Sequence, residues 1–309
     1  MTSELFGDFS AKDHDWENDC VTWEKDGMLM SKWMREDNLD AIKDFEVHDD
    51  DIWVVTYPKS GTTWMQVIMS LVVVEGDEKN IKTTYMQNEY FTLDRMPPPH
   101  KLLDQTPSPR MIKTHLQDIH LPQQLLEKTK PKIIYVARNP KDVAVSYFHF
   151  HTYNRCLPKY TDWNLFYEDY KKDKVIWGSW FQHNLFWWER RYLPNVLFLK
   201  YEDMKTDPKG AIIQVADFMG YKLSDDAINK IVEKSSFKTM KSSDKTGPRL
   251  AAQTGLFDPK YYKDPSFFIR KGVTGDWKNH FTVAQNEDFD KICKAKLDGT
   301  GLYDDDYSY

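Results

Sequence analysis

The stretch Ile52-Trp-Val-Val-Thr-Tyr57-Pro-Lys-Ser-Gly-Thr-Thr-Trp64 decides the fold of this 309-residue chain. Its first six residues are all β-branched or aromatic and stop at Pro58, a pattern that predicts a short buried strand. Gly61 follows in a tight loop, and residues Thr62 to Glu75 favour a helix. A strand, a glycine-containing loop and a helix N-terminus bring free backbone N–H groups together, which predicts an anion-binding site.

The loop supplies charge and hydroxyl groups as well as backbone donors. Lys59 is a cation, and Ser60, Thr62 and Thr63 carry hydroxyl groups. The order differs from the Walker A pattern, because the lysine precedes Gly61 and the first glycine is missing. An ordinary turn made of small residues is the alternative, but the strand, loop and helix signals together favour the anion site.

The alternation of strands and helices continues along the chain. Strands are predicted at Ile52–Tyr57, Arg110–Thr114, Lys132–Ala137 and Asn195–Tyr201, and helices at Thr62–Glu75, Lys141–His151, Lys174–Tyr192, Pro208–Met219, Asp225–Ser235 and Thr282–Leu297. This pattern predicts an α/β fold, a single domain over residues 1–309 with a central parallel sheet flanked by helices and a P-loop-like nucleotide-binding architecture. The polar residues 1–50 are expected to wrap the outside. Functional side chains are expected beyond the carboxyl ends of the strands.

Composition excludes several function classes. The chain has 42 Lys and Arg against 48 Asp and Glu, a net charge of −6, which argues against nucleic-acid and acidic-membrane partners. The three cysteines lie far apart, so neither a disulfide framework nor a cysteine zinc site is expected. The N-terminus lacks a signal-peptide pattern, and no apolar stretch approaches the ~20 residues of a membrane span. We therefore expect a cytoplasmic protein.

Aromatic residues make up 15% of the chain. In the segment predicted as the helix Lys174–Tyr192, five of them recur at helical spacing: Trp177, Trp180, Phe181, Trp188 and Tyr192. Such a stripe is typical of core packing rather than of a cofactor site.

A second anion site is predicted where the third strand ends at Arg138. Asn139 is a good N-cap and Pro140 a good first helical residue, so a helix opens there. The alternative role for Arg138 is a structural salt bridge, for example with Asp142. Two strand-to-helix anion sites indicate a ligand with phosphates at both ends, such as a nucleoside bisphosphate.

The second strand ends at His115, beside Lys113. A histidine in this position is well placed for proton transfer near neutral pH. Cations dominate the strand ends, which indicates that a transferred group is stabilised by side chains without a metal. His149 and His151 are not expected to bind a metal, because i and i+2 side chains on a helix diverge.

A further basic stretch, Arg270-Lys-Gly-Val-Thr-Gly-Asp-Trp-Lys278, lies near the C-terminus. Gly272 permits the backbone to approach a ligand closely. Residues 238–269, which precede it, show little periodicity and predict a lid or acceptor-binding loop, with a plain mobile loop as the alternative.

Four ordered segments of this chain resemble motifs of the cytosolic sulfotransferases: Tyr57–Trp64, Lys113–His115, Arg138–Ser146 and Arg270–Phe281. The resemblance covers about Trp53 to Ala295. It implies transfer of a sulfonate group from 3′-phosphoadenosine 5′-phosphosulfate (PAPS) to a hydroxyl or amine of a small hydrophobic acceptor such as a phenol or steroid. The product would be adenosine 3′,5′-bisphosphate (PAP), and no metal would be required.

The same resemblance implies roles for individual residues. His115 would be the general base, and Lys59 and Lys113 would neutralise charge during transfer. The 5′-phosphosulfate would bind to Lys59, Ser60, Gly61, Thr62, Thr63 and Trp64, and the 3′-phosphate to Arg138, Ser146, Arg270, Lys271 and Gly272. The adenine would lie between Trp64 and Phe237, with Tyr201 and Ser235 beside the nucleotide.

The acceptor pocket and the oligomeric state are less determined. The substrate-binding residues would be Lys113 and His115, with Tyr85, Phe91, Phe148 and Phe150 as walls of an apolar pocket or, alternatively, as ordinary core residues. Lys278–Glu287 resembles the family's short dimer segment, and its alternative is a loop and helix start with Thr282 as N-cap.

Two rival functions stay open on the sequence. One is a nucleotide-dependent small-molecule kinase on the same α/β plan, against which the missing Walker A order argues. The other is an inactive module that binds a bisphosphate nucleotide, against which the intact Lys59, Lys113 and His115 argue. The physiological acceptor stays undetermined.

Overall fold

The computed structural model describes residues 22–31, 36–80, 103, 106–155, 157–243, 257–261 and 269–302. The strands are β1 (Thr22–Lys25), β2 (Met28–Ser31), β3 (Ile52–Thr56), β4 (Met111–Thr114), β5 (Lys132–Ala137) and β6 (Val196–Lys200). β3 to β6 form a four-stranded parallel sheet in the order β4-β3-β5-β6. The predicted α/β fold with a central parallel sheet is confirmed.

Helices pack around this sheet. Their bounds are α1 (Glu36–Lys43), α2 (Thr62–Val73), α3 (Gln123–Glu127), α4 (Pro140–Tyr153), α5 (Trp163–Tyr170), α6 (Trp180–Glu189), α7 (Tyr201–Thr206), α8 (Pro208–Met219), α9 (Asp225–Lys234), α10 (Phe237–Ser242) and α11 (Val283–Leu297). All four predicted strands and all but one of the predicted helices begin and end within two residues of their predicted bounds. None of the helices among the described residues is long and apolar enough to cross a bilayer.

The central strands β3 and β5 are apolar along most of their length because both faces of the sheet are covered. In β3, Trp53 and Val55 belong to one hydrophobic cluster, whereas Ile52 and Val54 belong to the other. Successive side chains of a strand point to opposite faces, so a sheet with helices on both sides needs an unbroken apolar run.

The register of the parallel strands brings the predicted functional groups to one edge. Val55 of β3 lies opposite Thr114 of β4, and Thr56 lies opposite Val136 of β5. Since the strands are parallel and in step, the loops that follow them leave from the same end of the sheet. Lys59, His115 and Arg138 are therefore neighbours, although up to 79 residues of sequence separate them.

The predicted helix Lys174–Tyr192 is wrong at its start and at its end. Trp177 and Gly178 have left-handed φ angles of 66° and 67°, which no helix tolerates, and α6 begins only after the N-cap Ser179. Trp177 is nevertheless buried, as are Trp180 and Phe181. The core role predicted for Tyr192 is wrong, because it lies beyond the end of α6 and is 81% exposed.

The described part of the N-terminal 50 residues contains structure that the sequence patterns missed. β1 and β2 form an antiparallel hairpin around a turn at Asp26 and Gly27. Met28 and Met30 are buried in the core, so this region contributes packing and does not only cover the outside. The backbone N–H of Trp177 donates to the carbonyl of Leu29, which fixes the hairpin beside the segment that carries Trp177.

Candidate active site

A cavity of about 350 Å³ opens at the carboxyl ends of β3, β4 and β5. Most of the residues singled out from the sequence line it: Lys59, Gly61, Thr62, Thr63, Trp64, Lys113, His115, Ser146, Arg138, Phe150, Tyr201, Ser235, Phe237, Arg270, Lys271 and Gly272. Among the described residues that line it, none is an aspartate or a glutamate. The cavity is therefore suited to an anionic ligand.

The loop between β3 and α2 is shaped by two left-handed residues. Lys59 has a φ of 69° and Gly61 a φ of 108°. A Cβ atom at Gly61 would lie 2.9 Å from a ring carbon of Tyr201, so glycine is required here for space as well as for conformation. Ser60, between the two, is buried and lies outside the cavity lining, and its Oγ makes no hydrogen bond.

Lys59 is a partly buried cation in a strongly positive neighbourhood. Its Nζ lies 4.1 Å from the centre of the Phe150 ring, a cation–π distance. Burial, followed by the charges of Arg138, Arg270 and Lys113, lowers the pKa of Lys59 to about 7. This lysine is therefore partly neutral at pH 7 in the free protein. An anion bound beside it would raise its pKa and favour the protonated form.

His115 is held in one tautomer by the backbone. Its Nδ1 lies 2.7 Å from the carbonyl oxygen of Thr56. A carbonyl only accepts, so Nδ1 carries the hydrogen and Nε2 carries the lone pair. Burial and the nearby Lys113 charge lower the pKa of His115 well below its ordinary value, which keeps the ring neutral. The ring also packs edge-on against Trp177, with centroids 5.5 Å apart.

Arg138 connects the three loops of the site. Its guanidinium donates to the carbonyl of Lys59 at 3.0 Å and to the carbonyl of Val273 at 3.1 Å, and it lies 4.4 Å from the centre of the Tyr201 ring. The alternative prediction, a salt bridge to Asp142, is wrong. That carboxylate instead accepts hydrogen bonds from the backbone N–H groups of Gly275 and Trp277.

The C-terminal basic stretch closes the same side of the cavity. Gly272 has a φ of 63°, and a Cβ atom there would collide with the ring of Phe237. Arg270 and Lys271 line the cavity and both pair with the carboxylate of Asp276 at 2.7 Å. Sequence reasoning included Asp276 in this stretch without assigning it a function.

Two aromatic residues face this region from different helices. Trp64, in the first turn of α2, packs edge-on against Tyr201, with ring centroids 5.4 Å apart. Phe237 is the first residue of α10, where the side chain of Ser236 caps the helix by accepting from Thr239 N–H. Both rings line the cavity.

Six Lys and Arg residues line the cavity, and we call the part around five of them, Lys59, Lys113, Arg138, Arg270 and Lys271, the cationic half. The apolar half is the part lined by Phe150, Tyr153, Leu157, Trp177 and Phe257. In the apolar half, three ring pairs have centroids about 6 Å apart: Phe150–Tyr153, Phe150–Phe257 and Tyr153–Phe257. His115 and Lys59 join the two halves through their contacts with Trp177 and Phe150.

Sequence reasoning found only Phe150 of the apolar half. Tyr153 lies one helical turn beyond it on α4, a spacing that could have revealed it. Phe148 does not line the cavity, since its ring packs against Trp163 and Phe166. The other predicted wall residues, Tyr85 and Phe91, lie outside the described residues.

The two α4 histidines do not face a common point. His149 packs against the ring of His280, whereas the Nδ1 of His151 lies 2.7 Å from the carbonyl oxygen of Pro158. Burial lowers their pKa values to about 4 and about 3. Both rings are therefore neutral at pH 7 and serve as packing groups.

The segment Lys278–Glu287 is a loop followed by the start of α11. Thr282 is the N-cap, and it forms a reciprocal capping box with Gln285. Val283, the first residue of the helix, is 77% exposed.

Comparisons with known proteins agree with this geometry. A sequence model of the family described as "Sulfotransferase domain" matches residues 49–301. Human sulfotransferase 1C2 is 42% identical over 86% of this chain and 89% of its own length, and dog sulfotransferase 1A1 is 40% identical over 89% and 92%.

Solved structures show the same fold. A mouse sulfotransferase, SULT7A1, complexed with PAP is 33% identical, with a TM-score of 0.73 over 90% of this chain and 95% of its own. A retinol dehydratase in complex with androsterone and PAP is 26% identical, with a TM-score of 0.81 over 93% of both chains.

Proposed function

This chain belongs to the cytosolic sulfotransferase family, and from that premise we propose how its cavity works. The protein transfers the sulfonate group of PAPS to a small-molecule acceptor. The nucleotide would occupy the cationic half, and the acceptor would enter the apolar half. The sulfonate would cross where the halves meet, between Lys59 and His115.

One observation carries this proposal: the fixed tautomer of His115 at the junction. Because Nδ1 donates to the carbonyl of Thr56, the lone pair of Nε2 is available to accept a proton. The pKa of His115 lies well below its ordinary value, so the ring stays neutral near pH 7. A neutral histidine beside buried lysines is suited to deprotonate a hydroxyl group as it attacks an electrophile.

The cationic half fits PAP and PAPS. Arg138 lines the cavity, and its Nε is buried without a hydrogen-bond partner, so it is available to donate to a phosphate. Gly61 and Gly272 have no Cβ atom, which lets the two loop backbones pack directly against the rings of Tyr201 and Phe237 at the wall of the cavity. We assign the 5′-phosphosulfate to the loop Lys59–Trp64, with Tyr201 and Ser235 beside the nucleotide. The 3′-phosphate would bind Arg138, Ser146, Arg270, Lys271 and Gly272.

The adenine would lie between Trp64 and Phe237. Both rings line the cavity from separate helices, and Gly272 lies directly against Phe237. An aromatic ring on each face of a base provides stacking without requiring charged groups.

PAPS supplies the sulfonate and a phosphate leaving group when it is bound. The acceptor oxygen forms a bond to sulfur while the bond from sulfur to the bridging oxygen of the donor breaks. The hydroxyl proton moves to Nε2 of His115. Lys59 and Lys113 compensate the negative charge that develops on the leaving phosphate, so the chain contributes positioning and fixed charge.

The apolar half favours a flat, weakly polar acceptor. The walls by which it is defined are aromatic or aliphatic, which suits a small hydrophobic molecule whose hydroxyl group would reach His115 at the junction of the halves. The relative with androsterone bound holds a steroid in the same fold. We propose phenols and steroids as the acceptor class.

The proposal is tested by incubating the protein with PAPS and a panel of phenols, steroids and aryl amines. The expected result is a sulfonated product for at least one acceptor, with one PAP formed per product, measured by mass spectrometry. A parallel incubation with ATP and Mg²⁺ should transfer nothing. PAP release without a sulfonated acceptor, or phosphorylation by ATP, would refute the function.

Two further parts of the chain have proposed roles. Residues 238–269 would form a lid over the acceptor, which is supported by three described residues of that segment that line the cavity: Met240, Phe257 and Ile269. Lys278–Glu287 would contribute to a homodimer, which is supported by the exposure of Val283. Sedimentation of wild type and Val283→Glu would test the dimer, since a charge there should leave only monomer.

A further inference from the structure

Asp276 lies outside the cavity lining but contacts two residues that belong to it. Its Oδ2 lies 2.7 Å from a guanidinium nitrogen of Arg270, and its Oδ1 lies 2.7 Å from the Nζ of Lys271. The ring of His280 approaches the same carboxylate at 3.5 Å. One buried anion therefore joins two cations of the cationic half.

The carboxylate itself is held in place. The side chain of Asn279 donates to Oδ1 at 3.1 Å. The backbone on both sides is fixed by Asp142, which accepts from the N–H groups of Gly275 and Trp277. Asp276 is only 5% exposed, so it has little freedom to leave its position.

Asp276 stays ionised at working pH. Burial alone would raise its pKa, but the hydrogen bond from Lys271 and the ion pair with Arg270 outweigh burial and hold the pKa well below its usual range. The carboxylate is therefore charged, and it pairs with both cations in the free protein.

Without this anion the two cations would have no fixed counter-charge among their described contacts. Arg270 already repels Lys59 strongly enough to contribute to its lowered pKa, as does Arg138. Lys271 is a long side chain with about half of its surface exposed, and it would gain many rotamers. A phosphate would then have to order the cations as it binds, which reduces affinity.

We propose that Asp276 is a positioning residue: it preorganises Arg270 and Lys271 for a 3′-phosphate and so sets the preference for nucleotides that carry one. This rests on the proposed function, in which that pair binds the 3′-phosphate of PAP. The effect of Asp276 is transmitted through the two cations, and it does not require contact with the nucleotide.

The test compares two probes that differ only in the 3′-phosphate, PAP and 5′-AMP. Dissociation constants are measured by calorimetry for wild type and Asp276→Asn, a change that keeps the shape and the bond to Asn279. PAP should bind about tenfold more weakly to the variant, as expected when paired cations lose their orientation, while 5′-AMP binding stays the same.

Asp290→Asn is the matched control. Asp290 pairs at 2.5 Å with buried Lys141, which does not line the cavity. This change removes an ion pair to a buried cation outside the cavity lining, and it is expected to lower the melting temperature without altering the ratio of the two dissociation constants. A merely structural role for Asp276 would give the same result as this control.

A double-mutant cycle identifies the route of the effect. In a Lys271→Ala background, Asp276→Asn should cost less PAP affinity than it does in wild type, because one of its two partners is gone. An unchanged or increased preference for PAP in Asp276→Asn would overturn the inference. Failure of wild type to prefer PAP over 5′-AMP would instead overturn the proposed nucleotide site itself.

Discussion

The cationic half and the apolar half of the cavity are built in different ways. Backbone geometry positions the cationic half: left-handed turns at Lys59, Gly61 and Gly272, and carbonyl groups that hold Arg138. Ring packing between distant segments builds the apolar half, for example Tyr153 of α4 against Phe257. In the proposed assignment, recognition of the anionic nucleotide would depend on a few fixed dipoles and charges, whereas recognition of the acceptor would depend on the shape of the apolar walls.

The largest expected effect lies at the junction of the halves. Replacing His115 with alanine removes the proposed general base, and we expect turnover to fall by about 10³-fold. PAP affinity should stay within about twofold of wild type, because no phosphate contact is assigned to His115. A change of that size is no larger than the effect of a typical surface substitution. Initial rates of sulfonated product and calorimetric PAP binding measure the two quantities.

The control for this variant is His48→Ala. His48 lies outside the cavity, where its ring contacts the hydroxyl of Ser108. The His48→Ala variant should therefore leave turnover and PAP affinity unchanged. Turnover in His115→Ala above about a tenth of wild type would show that another group takes the proton, since a positioned base contributes at least about 10²-fold.

The next largest expected effect concerns the apolar half, where a substitution should impair use of the acceptor but not binding of the nucleotide. Phe150→Ala removes a wall of the apolar half, so kcat/KM for a phenol should fall by roughly 30-fold, corresponding to the burial of one phenylalanine side chain. PAP affinity should change little. Steady-state kinetics with the acceptor varied at saturating PAPS gives the first value.

Phe148→Ala is the matched control, two residues away on the same helix. Phe148 packs against Trp163 and Phe166 and does not line the cavity. It should lower the melting temperature through the cavity it leaves, with little effect on the KM of the acceptor. Equal losses of acceptor affinity in both variants would contradict the assignment of the apolar half.

A smaller effect is expected on the nucleotide side, at Gly272. An alanine there has an unfavourable φ and also collides with Phe237, so the proposed adenine site should be displaced. Gly275→Ala provides the comparison, because its φ of 79° imposes similar backbone strain while no atom lies within 4 Å of the new Cβ. PAP affinity, measured by calorimetry, should fall about tenfold further in Gly272→Ala than in Gly275→Ala.

The smallest expected effect is a pH dependence that belongs to the cationic half alone. Lys59 has a pKa of about 7, lowered by burial and neighbouring cations, so it loses its proton as pH rises from 7 to 8. An anionic nucleotide favours the charged form, so binding above pH 7 takes up protons and PAP affinity falls several-fold per pH unit, with about tenfold as the upper limit.

Calorimetry in buffers of different ionisation enthalpy measures this uptake. The Lys59→Met variant should show no proton uptake from this group. It should also be more stable than wild type at pH 7 and below, because a cation whose pKa is lowered by burial destabilises the fold most when it is protonated. Proton uptake that persists in Lys59→Met would assign the titration to another group.

The contrast between the halves also explains what could be predicted from sequence. The cationic half is encoded locally: Lys59 and Gly61 lie in one loop, and Arg138 precedes the strong helix start at Asn139 and Pro140. The parallel sheet then brings these loops together. Local sequence patterns of this kind are sufficient to predict the site, because they do not depend on which distant segments pack together.

The apolar half could not be predicted in the same way. Trp177 reads as one member of a helical stripe, but its left-handed backbone and the hydrogen bond to Leu29 of the hairpin turn it towards His115. Phe257 enters the cavity only because the backbone N–H of Asp258 bonds to the carbonyl of Tyr153. Both depend on contacts between segments far apart in sequence. Tertiary contacts override the local pattern in such segments.

The most direct test of the central claim is a crystal structure of the protein with PAP and a phenolic acceptor. The account predicts the 3′-phosphate against Arg270 and Lys271, the adenine between Trp64 and Phe237, and the acceptor hydroxyl within hydrogen-bonding distance of Nε2 of His115. A nucleotide bound in the reverse direction, or an acceptor whose hydroxyl lies away from His115, would contradict it.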